Sequence, residues 1–123
     1  MNKFDLEERL VDFSVAIIEL SSEIPNNRAG NHLSGQIIRS GTSAALNYGE
    51  AQSGESRKDF IHKMKVALKE LRETHICLKI LHRTHLYKEE QTLLKIESEC
   101  NELISIFVTS VVTAQKNTNA GLN

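Results

Sequence analysis

The chain has 123 residues, of which 40% are hydrophobic and 25% charged, with a formal net charge of −1 and one proline. This size supports one modest hydrophobic core and is too small for two domains. The apolar content and low net charge exclude a disordered chain. The first residues lack the basic start and apolar run of a signal peptide, which predicts a cytoplasmic protein.

Apolar residues recur at steps of four and three along four segments, which predicts four helices and no sheet. Pro25 ends the first helix, Asn26 and Asn27 are candidate N-caps of the second, and Ser56 is that of the third. The predicted bounds are about Asp5 to Ile24, Arg28 to Ala51, Arg57 to His85 and Glu89 to Lys116. We therefore expect an all-α domain over residues 1–117, an antiparallel up-down-up-down four-helix bundle with left-handed packing, and a flexible tail over 118–123.

The second helix is unusual because Gly30, Gly35 and Gly41 each cost about 1 kcal/mol relative to alanine inside a helix. Small residues along this helix would offset the cost by letting another helix approach closely. They are Gly35, Ser40, Gly41, Ala44 and Ala45. Ser43 and Asn47 are predicted to hydrogen-bond across that contact. The alternative is a ligand pocket lined by Arg39, Ser43, Asn47 and Tyr48.

Cations follow the third helix at steps of four, three and seven residues, and we call this row the basic stripe. It consists of Lys58, Lys65, Lys69, Arg72, Lys79 and Arg83. A row of cations on a rigid helix suits a phosphate backbone, which makes these residues the candidate nucleic-acid surface. Two other interpretations stay open: a solvated helix face, or ion pairing with an acidic row on the first helix formed by Asp5, Asp12 and Glu19.

The first and fourth helices carry more apolar residues than one bundle core can cover. Val11 and Ile18 lie beside the main seam of the first helix, and Ile106 and Val112 lie beside that of the fourth. Surplus apolar surface is typical of a protein interface, so these four residues predict a homo-oligomer. The most apolar segment, residues 103–114, is too short to cross a membrane, so no membrane partner is expected.

Patterns that indicate catalysis or metal binding are absent: there is no phosphate-binding glycine loop, GxSxG turn or HExxH helix. His82 and His85 lack a third ligand at zinc spacing, so we expect no metal or other cofactor. Cys77 and Cys100 are predicted to be buried thiols. No small-molecule substrate is identified, and an enzyme built around Arg39, Asn47 and Glu73 is the minor alternative to a non-enzymatic protein.

Two segments carry a resemblance to a known family: RSGTSAALNYGEA, residues 39–51, and SRKDFIHKMKVALKELRET, residues 56–74. They resemble the four-helix bundle proteins encoded in intervening sequences of bacterial 23S ribosomal RNA genes. The motif residues include Arg39, Ser43, Asn47, Asp59, Glu70 and Glu73, which we interpret as structural. The resemblance implies a bundle that assembles into a homopentameric ring.

The family is also similar to the accessory protein of diversity-generating retroelements, a basic pentamer that binds nucleic acid and a reverse transcriptase. This similarity makes the basic stripe the candidate surface for RNA or DNA. We therefore predict a non-enzymatic homo-oligomer that binds RNA or a nucleoprotein partner through its third helix. A protein-interaction scaffold with no nucleic-acid role is the alternative.

Overall fold

The computed structural model describes residues 1–119, which form four α-helices. Their bounds are Lys3–Ser22 for α1, Arg28–Gln52 for α2, Arg57–Thr84 for α3 and Glu90–Asn119 for α4. The predicted helices are confirmed, with ends that shift by up to three residues. Because α4 continues to Asn119, the first two residues of the predicted tail are helical, and the rest of that tail, 120–123, lies outside the described residues.

Side chains cap α2 and α3 as the sequence indicates. The Asn27 side-chain oxygen accepts a hydrogen bond of 2.7 Å from the backbone N–H of Gly30. Ser56 Oγ accepts one of 3.1 Å from the backbone N–H of Asp59. Such caps satisfy backbone donors that have no partner inside the helix, and each contributes roughly 1 kcal/mol. At the other end of α3, His85 adopts the left-handed conformation that ends the helix, with φ of 56°.

Consecutive helices run antiparallel, which confirms the up-down-up-down bundle. Across α2 and α3, Arg39 pairs with Glu73, whereas Glu50, farther along α2, pairs with the earlier residue Lys63. The helices α1 and α2, α2 and α3, α3 and α4, and α1 and α4 are packed neighbours. In the described part of the chain, α1 and α3 therefore lie at diagonally opposite corners.

This diagonal placement corrects one prediction about charge. Asp5, Asp12 and Glu19 are exposed on α1, but the bundle core separates them from α3. The acidic row therefore cannot neutralise the basic stripe within one chain. Instead, Arg9 of α1 pairs with Glu99 of α4, with Nη2 to Oε1 at 2.5 Å.

The predicted seams form the core. Most seam residues are buried, whereas Leu33 and Phe60 are half-buried at its edge. Tyr48 of α2 packs edge-on against Phe107 of α4 with ring centroids 5.9 Å apart. Aromatic pairs prefer this arrangement. The most deeply buried large apolar side chains are those of Leu10, Ile17, Leu20, Ile37, Met64, Leu71, Leu78, Leu81, Leu93, Leu103 and Phe107.

The glycines of α2 differ in what surrounds them. A Cβ on Gly41 would lie 2.8 Å from Cγ2 of Ile17, so α1 approaches α2 closely at this point, as predicted. A Cβ on Gly35 would meet nothing within 4 Å. The prediction that Gly35 allows close helix packing is therefore wrong for the single chain.

We expect Gly41→Ala to destabilise the bundle by about 1–3 kcal/mol, because the buried, β-branched Ile17 has little freedom to move away. Gly35→Ala is the matched control and should stabilise by up to about 1 kcal/mol through helix propensity. Urea unfolding followed by circular dichroism, at one protein concentration, measures both. Equal unfolding midpoints for parent and Gly41→Ala would contradict the close contact.

Candidate nucleic-acid interface

The basic stripe lies on the outward side of α3, turned towards α4. Its residues share one helix face because steps of three, four and seven return to the same side of a helix. Five of the six are exposed and Lys79 is half-buried. At about 1.5 Å per residue, the distance along the axis from Lys58 to Arg83 is roughly 38 Å.

The cations of the basic stripe are not neutralised by neighbouring side chains. Within residues 1–119, none of the six lies within ion-pair distance of a carboxylate. Lys63 of the same helix, in contrast, pairs with Glu50 of α2, with Nζ to Oε1 at 3.2 Å. The structure therefore separates a free row of cations from the paired ones.

Two carboxylates of α3, Glu70 and Glu73, pair with α2. Glu70 lies 3.0 Å from Nη1 of Arg39, and Glu73 accepts a short hydrogen bond from Nη2 of the same guanidinium. Gln36 accepts another hydrogen bond from Arg39 at 3.2 Å. The hydrogen bond to Glu73 raises the pKa of Arg39, which stays charged. Glu70 and Glu73 therefore pair with an arginine of the adjacent helix.

Two carboxylates of α4 border the basic stripe, and both face imidazoles. Glu90 lies 2.9 Å from Nε2 of His82. Glu97 lies 3.7 Å from Nε2 of His75, too far for a hydrogen bond. Among the described residues, that nitrogen and the second oxygen of Glu97 have no hydrogen-bond partner. These carboxylates therefore leave the lysines and arginines of the stripe unpaired.

Ser43 and Asn47 are predicted to hydrogen-bond to a neighbouring helix, but other residues form the hydrogen bond between α2 and α3. Ser43 Oγ donates to the carbonyl of Arg39 at 2.6 Å, and Asn47 Nδ2 donates to the carbonyl of Ser43 at 2.9 Å, so both bond within their own helix. Instead, the hydroxyl oxygens of Ser40 and Thr74 lie 2.8 Å apart in the core. Both residues are fully buried. The signal available in the sequence was that Thr74 falls on the apolar seam.

We expect Thr74→Val to destabilise by about 1–3 kcal/mol, because Ser40 would keep a buried hydroxyl without its partner. Ser40→Ala should cost less, since Thr74 also bonds the carbonyl of Glu70 at 2.8 Å. The double variant should cost less than the sum of the single variants, because it removes both polar groups. Urea unfolding of all four proteins measures the coupling, and additive effects would show that this hydrogen bond contributes nothing.

The two thiols are confirmed as buried and free. Burial raises the pKa of Cys100 to about 12, and burial also raises the pKa of Cys77. Cys100 Sγ additionally donates to the carbonyl of Leu71 at 3.4 Å. A nucleophilic thiolate needs exposure and a lowered pKa, so neither residue is equipped for covalent catalysis.

A cavity of about 370 Å³ opens at the end of the bundle where α1 begins. Its ionisable groups are Lys3, Tyr48 and the amino terminus, and burial raises the pKa of Tyr48. Among the described residues, no carboxylate, imidazole or thiol lines it. The lining residues are Met1, Asn2, Lys3, Leu6, Tyr48, Gln52, Phe60, Met64, Ile106 and Ser110.

Three of the four predicted interface residues are exposed apolar side chains: Val11 is 44%, Ile18 49% and Val112 44% accessible. The fourth, Ile106, is half-buried in the single chain and lines the cavity near α1. Phe4 and Val15 extend the exposed apolar face of α1, which the structure places away from the core. In residues 1–119, no helix is both long and apolar enough to pass through a lipid bilayer.

A family model described as 23S rRNA-intervening sequence protein matches residues 2–109. The chain belongs to this family. The match covers all of α1 to α3 and most of α4, including the complete basic stripe and the pairing of Arg39 with Glu70 and Glu73. The resemblance carried by residues 39–51 and 56–74 is thereby confirmed.

A solved structure supports the assignment of this chain to the family. It is the 1.70 Å crystal structure of a protein with unknown function from the S23 ribosomal protein family of Bacteroides thetaiotaomicron VPI-5482. The two chains are 33% identical and superpose with a TM-score of 0.79, covering 86% of this chain and 97% of the other. A search of curated proteins found no match.

Proposed function

We propose that this protein is a non-enzymatic, self-assembling helical bundle of the cytoplasm that binds structured RNA or a nucleoprotein partner through the basic stripe. The observation that carries the proposal is the row of six cations along one side of α3, unpaired within the described residues. The family name links the relatives to ribosomal RNA genes, which favours RNA among the polyanions.

The physical basis is the release of counterions from a phosphate backbone. Each phosphate that a cation neutralises contributes about 0.9 to the slope of log affinity against log salt for a duplex and about 0.7 for a single strand. Six contacts therefore correspond to a slope of about −5 or −4. Base-reading geometry is not required for this term, so the binding should depend weakly on sequence.

We expect the triple variant Lys65→Glu, Lys69→Glu and Arg72→Glu to lose most RNA affinity at low salt and to reduce the salt slope by about three. Fluorescence anisotropy of a labelled RNA hairpin, titrated at several salt concentrations, measures both quantities. The three side chains are exposed, so the fold should persist and circular dichroism verifies it.

The matched control reverses three exposed lysines away from the stripe: Lys88→Glu, Lys95→Glu and Lys116→Glu. It changes the net charge by the same amount and should keep the parent slope, because only local charges contact phosphate. Equal losses of RNA affinity in both triple variants would show that binding depends on net charge and not on a defined surface. Absence of RNA binding by the parent at low salt would leave the protein-interaction scaffold as the better function.

Self-assembly is the second part of the proposal. Phe4, Val11, Val15 and Ile18 form an exposed apolar row on α1, which the single chain leaves uncovered. Contiguous exposed apolar surface is typical of a protein interface. The ring of five that the family resemblance implies is the assembly that we expect.

We expect Val11→Ser with Ile18→Ser to lower the mass in solution towards that of one chain of 13.8 kDa, because the variant removes apolar area from the interface. Light scattering coupled to size exclusion, at micromolar concentration, measures the mass. Leu46→Ser is the control, since Leu46 is 67% exposed on α2. A monomeric parent would refute self-assembly, and a larger effect of Leu46→Ser would place the interface elsewhere.

A further inference from the structure

The side chains around the cations of the basic stripe indicate which class of nucleic acid it binds. Proteins that bind single strands combine a basic groove with aromatic rings on which successive bases stack. Proteins that bind double helices without reading sequence need cations placed along the phosphates and no stacking surface. The surroundings of the stripe therefore distinguish the two classes.

Aromatic rings are missing from the surface around the basic stripe. The chain has four phenylalanines, two tyrosines and no tryptophan, all within the described residues. Four of these rings are buried in the core, and Phe60 is half-buried against it. Phe4 is exposed on α1, diagonally opposite α3. The remaining rings near the stripe are imidazoles: His62 is exposed at its edge, and His75 and His82 are half-buried beside Glu97 and Glu90.

The shape of the stripe also fits a double helix. It is straight and rigid, because α3 is one uninterrupted helix of 28 residues. Its length of roughly 38 Å is close to one turn of B-form DNA, about 34–36 Å. Steps of seven residues space cations by about 10.5 Å along α3.

We propose that the basic stripe binds the phosphate backbone of double-helical nucleic acid in preference to single strands. This inference rests on the proposed function and specifies its ligand class. Duplex RNA and duplex DNA share the required chemistry, a rigid and dense array of phosphates, which in duplex DNA carries about one charge per 1.7 Å of helix axis. A flexible single strand carries lower charge density and would lose conformational entropy on the stripe, with no stacking to offset that loss.

The test compares four labelled probes with the full-length parent protein at one salt concentration. The probes are a 20-base-pair RNA duplex, the DNA duplex of the same sequence, a 20-residue oligouridylate and a 40-residue oligouridylate that matches the phosphate number of the duplexes. We expect at least one duplex to bind about tenfold more tightly than either single strand. The RNA and DNA arms then identify which duplex is preferred.

Ile76 provides a second, independent readout. It is 53% exposed and interrupts the stripe between Arg72 and Lys79. Ile76→Lys should increase the salt slope for the duplex by about one, because it adds a cation on the same line. Leu46→Lys adds the same charge on α2 and should leave the slope unchanged. Equal slopes for these two variants would overturn the placement of the duplex along α3.

The outcomes separate this inference from the proposed function. Single strands that bind as tightly as both duplexes would overturn the duplex preference, while nucleic-acid binding itself would stand. No binding of any probe at low salt would overturn both. Loss of oligouridylate binding in His62→Ala would reveal stacking on the imidazole and would likewise contradict a backbone-only contact.

Discussion

The pairing of Arg39 with Glu70 and Glu73 is the interaction on which the surface of this protein depends. Both carboxylates belong to α3, the helix that also carries the basic stripe. Both carboxylates pair with Arg39 on the side of α3 that faces α2. The contribution of this exposed ion pair to stability is small in general. Its consequence for the electrostatic potential is larger, because Arg39 offsets two negative charges on the helix that carries the basic stripe.

In α2, a small residue and a polar contact together fix the position of the helix in the bundle. Gly41 lets Ile17 of α1 lie against the backbone of α2, while the neighbouring Ser40 turns to the other side and meets Thr74 of α3. One stretch of α2 is thereby fixed against two helices. Packing alone leaves the register of two helices underspecified, and a single buried hydrogen bond favours one register over its neighbours.

Much of the fold could be predicted from the sequence because its local signals agree. Apolar periodicity, the proline after α1 and the caps Asn27 and Ser56 indicate the same four helices. Contacts between helices could not be predicted in the same way. Gly35 and Gly41 are identical in sequence terms, yet one faces open space and the other a neighbouring side chain. Ser40 and Ser43 likewise cannot be distinguished by residue type. The rotation of α2 about its axis decides which of the two hydroxyls reaches α3.

The net charge of −1 conceals the property that matters for a polyanion. The acidic row lies on α1, and adjacent helix axes in a bundle are about 8–10 Å apart, so the diagonal to α3 is roughly 13 Å. The Debye length at physiological ionic strength is about 8 Å, so the acidic row is substantially screened from a ligand on α3. At 0.01 M salt the Debye length rises to about 30 Å, and the repulsion by α1 is then felt. The acidic row therefore opposes polyanion binding most at low salt, where the attraction by α3 is also strongest, and the two effects partly cancel there.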